Sequence, residues 1–323
     1  MSKPKVFVTR KWPASVEAKL KALYDVTLNE DDRPLSADEF RSALQNYDAV
    51  CPTVCDSFPA DVINVENKRC KILGNFGVGY NHIDINAAKA QGLVVSNTPG
   101  VLTHSTADIA MTLLLMSARR GAEGDRLVRA KQWHGWCPTH MLSSDVTGAT
   151  LGLIGFGRIA QAMAKKAHHG FGMKIVYFKP SPADEYVTDD LNATRCGSIE
   201  ELMQIADYVS LHCPGGEATR HLINADMINL MKPSAHLINT ARGDVVDSAA
   251  LIDALKNKRI AGAGLDVYEG EPNVHEGFLT LDNVSLLPHL GSATLGTRTA
   301  MGEKVLANLA AFFAGNQLPD RVV

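Results

Sequence analysis

Residues 151–160 read Leu-Gly-Leu-Ile-Gly-Phe-Gly-Arg-Ile-Ala. An apolar run ends there in a Gly-x-Gly-x-x-Ala turn, and a helical pattern follows. This turn constrains the chain strongly. Gly155 permits the tight reversal, Gly157 lets a pyrophosphate approach the backbone, and Ala160 keeps the following helix close to the strand. The start of that helix offers unpaired N–H groups and a positive dipole end to phosphates. A second apolar run, Lys174 to Phe178, follows at the distance a βαβ unit requires. The pattern therefore predicts dinucleotide binding.

The end of the second run bears on which dinucleotide. A carboxylate about 20 residues beyond the turn would hydrogen-bond a ribose 2′-hydroxyl. Here Phe178 is followed by Lys179, Pro180 and Ser181, and no carboxylate occurs before Asp184. A lysine attracts a 2′-phosphate that a carboxylate would repel. The expectation is NADP(H) preferred, with NAD(H) possible. A solvated loop lysine is the plain alternative.

Short apolar runs alternate with helical patterns along the whole chain. Val6–Thr9, Asp48–Val50, Lys71–Leu73 and Leu93–Val95 read as strands, and residues 14–23 as a helix. Thr103 to about Arg129 reads as one long helix after the Thr98-Pro99-Gly100 turn. A second series has strands at Leu151–Ile154, Lys174–Phe178, Tyr208–Leu211, His236–Asn239, Gly264–Val267 and Val284–Leu287, and Ala293–Ala314 is helical. Nearly continuous apolar strands are what a parallel sheet covered on both faces requires. Strands alternating with helices give an α/β class. The phosphate turn lies far from the N-terminus, so a whole α/β unit precedes it. Two domains are expected, as 323 residues suggest. Residues 1–100 and 292–323 would form a substrate-binding domain, and 101–291 the dinucleotide-binding domain.

The net charge of −3 lacks the basic excess of a nucleic-acid binder. The longest apolar stretch, Ile109–Met116, is far short of the ~20 residues that span a membrane. The start, with only Val6-Phe7-Val8 apolar, lacks a secretory signal of about 7–15 such residues. A cytoplasmic protein is expected. Cysteines stand at 51, 55, 70, 137, 196 and 213, with no spacing of a zinc site or a CxxC pair. They are expected to be reduced and mostly buried, with no metal bound.

Three polar peptides follow strands of the second series: Asn239–Asp244, Asp266–Pro272 and Pro288–Ser292. In open parallel sheets, ligands lie beyond the carboxyl ends of the strands. Singly, Arg242 could be an ion-paired surface residue, Glu271 a solvated carboxylate and His289 a structural histidine. Jointly they offer an anion clamp, an orienting carboxylate and a proton carrier, the equipment for hydride transfer to a 2-keto acid. A histidine suits proton transfer at neutral pH, and a carboxylate beside it favours the imidazolium. Arginine can grip a carboxylate through two parallel N–H bonds.

These motifs carry a resemblance. Gly77-Val78-Gly79-Tyr80-Asn81-His82-Ile83-Asp84, the turn at 155–160, Asn239–Asp247, Gly264–Pro272 and Pro288-His289-Leu290-Gly291-Ser292-Ala293 occur in order over essentially the whole chain. The chain resembles the D-isomer-specific 2-hydroxyacid dehydrogenase family, within it the glycerate dehydrogenase and hydroxypyruvate/glyoxylate reductase group. The resemblance implies two Rossmann-like domains, a flavodoxin-like substrate domain and a dinucleotide-binding domain, with a cleft between them. It implies reduction of hydroxypyruvate or glyoxylate to D-glycerate or glycolate. Arg242 would bind the substrate carboxylate and keto oxygen, His289 would be the acid/base, and Glu271 would pair with it. Val78 and Gly79 would offer backbone N–H groups to the substrate. Thr106, Gly155, Gly157, Arg158, Ile159, Lys179, Ser181, His212, Pro214, Thr240 and Gly291 would line the cofactor, and Asp266 would contact the nicotinamide carboxamide. Trp136, in Trp133–Pro138, resembles a tryptophan that reaches the substrate site of a neighbouring subunit, which implies a homodimer. An interface aromatic is its plainer reading. Lys179 stands where NADH-preferring members usually carry Asp, and Asp108 where relatives often have Glu. The alternatives are a non-enzymatic dinucleotide-sensing corepressor, expected to carry a tail beyond Val323, and a formate- or phosphite-type dehydrogenase.

Overall fold

The computed structural model describes residues 3–181, 183 and 185–323. The chain divides into two compact units, Met1–Leu102 with Ala293–Val323, and Thr103–Ser292. Among the described residues no helix is long and apolar enough to cross a membrane.

The first unit holds strands β1 (Lys5–Val8), β2 (Asp25–Leu28), β3 (Ala49–Cys51), β4 (Ile72–Gly74) and β5 (Val94–Ser96). They pair in the order β2-β1-β3-β4-β5, all parallel. This is the flavodoxin-like order. The central strands β3 and β4 are buried along their whole length, as their unbroken apolar character requires. One face of the sheet packs Val16 and Leu20 together with Met301, Val305 and Leu309 of the C-terminal helix Leu295–Phe313. The other packs Phe40, Leu44, Phe58 and Ile63.

The second unit holds β6 (Thr150–Ile154), β7 (Lys174–Phe178), β8 (Thr194–Arg195), β9 (Tyr208–Leu211), β10 (His236–Asn239), β11 (Gly262–Leu265) and β12 (Val284–Leu286). Their order is β12-β11-β10-β9-β6-β7-β8, again parallel throughout. Chain order runs outward from β6 one way to β8, then resumes beside β6 at β9. The reversal between β6 and β9 is the switch point of a Rossmann sheet, where the strand ends open outward to a ligand.

Three expectations need correction. The helix foreseen from Thr103 to Arg129 is two helices, Thr103–Ala118 and Gly121–Arg129. Arg120 breaks it in the left-handed region at φ +52°, with its guanidinium held by Glu123 at 2.6 Å. β11 begins at Gly262 and ends at Leu265, two residues earlier than expected, so Asp266 leads the loop and is outside the strand. Cys51, Cys70 and Cys196 are buried and Cys213 is half-buried, but Cys55 and Cys137 are exposed: Cys137 lies within a stretch exposed throughout, whereas Cys70 and Cys196 sit in the apolar cores.

His236 opens β10 at 3% exposure. Its Nδ1 pairs with Ser117 Oγ at 2.8 Å and its Nε2 with Ser144 Oγ at 3.0 Å. Hydroxyls donate and accept, so the neutral ring is satisfied at both nitrogens. Burial pushes this imidazole from 6.5 down to about 4. An unfolded chain takes up the proton near pH 6.5 and the folded one resists it. Stability present above that pH is therefore lost as pH falls toward 4, by roughly 3 kcal/mol at about 1.4 kcal/mol per unit. Urea unfolding between pH 7 and 4.5 should show a shallower loss for His236→Gln than for the parent. Equal slopes would show that His236 does not contribute.

Candidate active site

β6 ends at Ile154 and the chain turns at Gly155, φ +84°. A Cβ at Gly155 would lie 2.8 Å from the carbonyl carbon and oxygen of His212 and the nitrogen of Cys213. Only glycine meets both demands, the left-handed turn and the close approach to the end of β9. Gly157 is the N-cap of the helix Arg158–Phe171, and no side chain caps it. A Cβ there would meet nothing within 4 Å. Open space thus adjoins a helix start whose first amides lack intrahelical acceptors. Thr240 Oγ1, just past β10, is buried with no hydrogen-bond partner among the described residues. An orphaned polar atom of this kind calls for a polar partner. The open cradle and the orphan fit a dinucleotide with its pyrophosphate at Arg158 and Ile159.

The His212 side chain has partners within its own unit. Its Nε2 lies 2.9 Å from Ser210 Oγ and 3.3 Å from Met163 Sδ. Burial pushes the imidazole down to about 4, so it carries no positive charge at neutral pH. Its backbone lines the turn, with the carbonyl 2.8 Å from where a Cβ at Gly155 would stand. The Pro214 carbonyl accepts from Thr219 Oγ1 at 2.7 Å, and Thr106 Oγ1 donates to the Gly291 carbonyl at 3.1 Å. Asp108 pairs with Lys166 at 2.9 Å. Lys179 follows β7 and is half-buried, and Ser181 is exposed. Arg195, which the sequence did not single out, donates from Nη2 to the carbonyls of Lys179 at 3.0 Å and Pro180 at 2.9 Å. It holds the backbone of the segment that presents Lys179. A two-residue exposed edge strand gave no signal to find it.

The loops after β10, β11 and β12 meet. Asn239 organises the first: its Nδ2 donates to the Arg242 carbonyl at 2.8 Å and its Oδ1 accepts from Ala241 N at 3.0 Å. Arg242 Nη1 donates to the Ala241 carbonyl at 2.7 Å. Gly243 then presses against the second loop, where an added Cβ would stand 1.9 Å from the Tyr268 carbonyl carbon. Asp266, 1% exposed, shapes the third loop: Oδ1 accepts from Leu290 N at 2.6 Å and Oδ2 from Gly291 N at 2.8 Å. Desolvation pushes this carboxyl up from its ordinary value. The Asp266 carbonyl accepts from His289 N at 3.0 Å, and His289 sits at φ +54°.

His289 Nδ1 lies 2.8 Å from Glu271 Oε2, while Glu271 Oε1 accepts from Tyr268 N at 2.9 Å. Burial works to raise the Glu271 carboxyl. The hydrogen bond and charge of His289, the Tyr268 amide and the charge of Arg242 outweigh it and hold the group below its ordinary value. An ionised carboxylate only accepts, so Nδ1 carries the hydrogen. Nε2 has no hydrogen-bond partner among the described residues and is the ring's free end. A second pair, unforeseen in the sequence, braces the same loop. His221 Nε2 lies 2.7 Å from Glu269 Oε1, and Glu269 Oε2 accepts from Ser248 N at 3.1 Å. The second unit thus gathers Arg242, Glu271 and His289. Val78 and Gly79 lie on a loop of the first unit. Trp136 is 82% exposed, within a stretch from 128 to 140 that is exposed throughout.

Residues 111–291 match the family model described as D-isomer specific 2-hydroxyacid dehydrogenase, NAD binding domain. The chain belongs to the D-isomer-specific 2-hydroxyacid dehydrogenase family. A fellow member, the glyoxylate reductase of Thermococcus onnurineus, is 43% identical over 99% of this chain and 96% of its own. The glycerate dehydrogenase of Hyphomicrobium methylovorum is 37% identical over 98% of each chain. Among solved structures, the NADPH-dependent glyoxylate/hydroxypyruvate reductase of Sinorhizobium meliloti, in complex with NADP and malonate, superposes with a TM-score of 0.88. It is 35% identical and covers 100% of this chain and 97% of that one.

Proposed function

We propose that this dehydrogenase reduces glyoxylate and hydroxypyruvate to glycolate and D-glycerate, using NADP(H) in preference to NAD(H). One observation carries the reading: an ionised Glu271 bound to His289 Nδ1 at 2.8 Å, with Arg242 on the adjoining loop. A bound nicotinamide supplies the hydride. Arg242 grips the substrate carboxylate and steadies the keto oxygen, which fixes the carbonyl for attack. His289 delivers a proton from Nε2 to the developing alkoxide. Glu271 holds the ring's orientation through Nδ1. Val78 and Gly79 take part through backbone N–H groups, and Asp266, already bound to Leu290 and Gly291, keeps lone pairs for a carboxamide. The names of the relatives support this substrate class.

Steady-state kinetics with glyoxylate, hydroxypyruvate, pyruvate, formate and phosphite test the reading. Turnover of the 2-keto acids is expected, and activity on formate or phosphite alone would overturn it. NADPH is expected to give the higher kcat/KM, because Lys179 offers charge to a 2′-phosphate. Lys179→Asp should shift the NADPH/NADH ratio toward NADH by about tenfold or more, the loss of one charge-assisted contact. A large NADH advantage in the parent enzyme would refute the preference. The exposed stretch 128–140, with Trp133 and Trp136, supports a homodimer; a monomer in gel filtration would count against it.

A further inference from the structure

The loop Gly77-Val78-Gly79-Tyr80 follows β4 in the first unit, and two asparagines control it. Asn75 is 0% exposed and its backbone N donates to the Ser96 carbonyl at 3.0 Å, next to β5. Its Nδ2 donates to the carbonyls of Gly77 at 3.1 Å and Gly79 at 3.0 Å. Its Oδ1 lies 3.0 Å from His82 Nε2. Carbonyls only accept, so the amino group must be the end that faces them, and the side-chain amide has one possible orientation. Asn97, just past β5, donates from Nδ2 to the Val78 carbonyl at 2.8 Å. Thr98 N adds a second bond to the Gly77 carbonyl at 3.0 Å. Three consecutive carbonyls are therefore drawn toward the ends of β4 and β5.

Planar trans peptides turn this into a functional statement. Each carbonyl points opposite to the N–H of the next residue. With the oxygens of 77, 78 and 79 drawn one way, the N–H groups of Val78, Gly79 and Tyr80 project the other way. None of the three has a backbone or side-chain acceptor in the chain among the described residues. Val78 and Gly79 are half-buried and Tyr80 is exposed, so the three donors line an approach from solvent. Successive amides aimed outward form a concavity that binds anions.

We propose that Asn75 and Asn97 are positioning residues that convert this loop into a three-donor cradle for the substrate carboxylate, with the Tyr80 N–H as the third donor. The proposal rests on the keto-acid reading above and deepens it. The ligand is a small monocarboxylate or dicarboxylate that spreads its charge over oxygens reachable by adjacent amides. Asn97 carries the cleaner test, since it makes one side-chain bond to the loop while Asn75 also serves His82. Asn97→Asp keeps the shape but sets a carboxylate against the Val78 carbonyl, which favours turning that peptide over and withdrawing the Gly79 N–H. Asn97→Ala simply releases it.

The experiment measures oxalate binding by calorimetry, glyoxylate KM and kcat, NADPH KM and Tm for the parent, Asn97→Ala, Asn97→Asp and Asn75→Asp. The Asn97→Asp variant is expected to raise the oxalate Kd and the glyoxylate KM together by about tenfold or more, the scale of one hydrogen bond to a charged group. Asn97→Ala should fall between it and the parent, and NADPH KM should stay unchanged. A purely structural role would lower Tm and leave oxalate Kd alone. Folded Asn97 variants with parental Kd and KM would overturn the proposal even if Asn75→Asp fails to fold. A parent that neither binds oxalate nor reduces a keto acid would instead refute the keto-acid reading, and the cradle with it.

Discussion

Replacing His289 by alanine is expected to lower kcat for glyoxylate reduction by about 10²–10⁴-fold, the range a positioned proton donor contributes. The geometry leaves the ring one chemical task. Nδ1 is committed to Glu271 at 2.8 Å, and the backbone is anchored by His289 N on the Asp266 carbonyl at 3.0 Å. Removing the imidazole therefore removes the proton source at Nε2 and leaves the loop's main-chain anchor in place. NADPH KM should be little changed. A variant with near-parental kcat would exclude His289 from proton transfer. Glu271→Gln makes the companion test. Burial raises the Glu271 carboxyl, but His289 and Arg242 outweigh it and keep the group ionised; the glutamine amide removes that charge while keeping a group that can bond Nδ1. Without the charge-assisted bond the ring is held less firmly, and kcat for reduction should fall while NADPH KM stays unchanged. A parental kcat would remove the pair from the mechanism.

Gly243→Ala is expected to be nearly as damaging, although Gly243 touches no substrate. An added Cβ would stand 1.9 Å from the Tyr268 carbonyl carbon, 2.0 Å from its oxygen and 2.4 Å from Glu269 N. All three atoms are backbone, so no side chain can swing aside. The loop bearing Glu271 must shift relative to the loop bearing Arg242. Overpacking a well-packed site costs about 1–3 kcal/mol, and more where backbone has to move, so a loss of about 3 kcal/mol is expected. A misplacement near 1 Å costs about 10²-fold in catalysis, which sets the expected fall in kcat/KM. Urea unfolding and steady-state kinetics read both. Gly296→Ala is the control, because a Cβ there meets nothing within 4 Å. Parental stability and kinetics in Gly243→Ala would show that the two loops are not locked together.

Much of the fold was legible because central parallel strands need apolar residues on both faces. β6, β7, β9 and β10 stand within a residue of the runs that foretold them. Two of the four edge strands, β2 and β8, were not legible, whereas the apolar edges β5 and β12 were. β2 carries Asp25 and Thr27 and is half-covered, and β8 has two exposed residues. A polar edge strand is defined by the neighbour it pairs with, and no periodicity records that neighbour. The break at Arg120 was hidden for a related reason. Arginine is a good helix former, and its guanidinium bonds not only the local Glu123 but also the Leu142 carbonyl, a partner distant in sequence.

The amino-acid sequence by itself determined where the chemistry-bearing residues stand. Arg242, Glu271 and His289 follow parallel strands that are neighbours in the sheet, and parallel strands bring their carboxyl ends to one edge. The tertiary structure alone decided which group each of them holds. It placed Glu271 on Nδ1 and left Nε2 free, turned His212 toward Ser210 and Met163, and tied the carbonyls of residues 77–79 to Asn75 and Asn97. The physical reason is one of range. Hydrophobic patterning reports burial over a few residues. A hydrogen-bond partner is chosen where loops distant in sequence meet, and backbone contacts such as Gly243 on Tyr268 set how closely they meet.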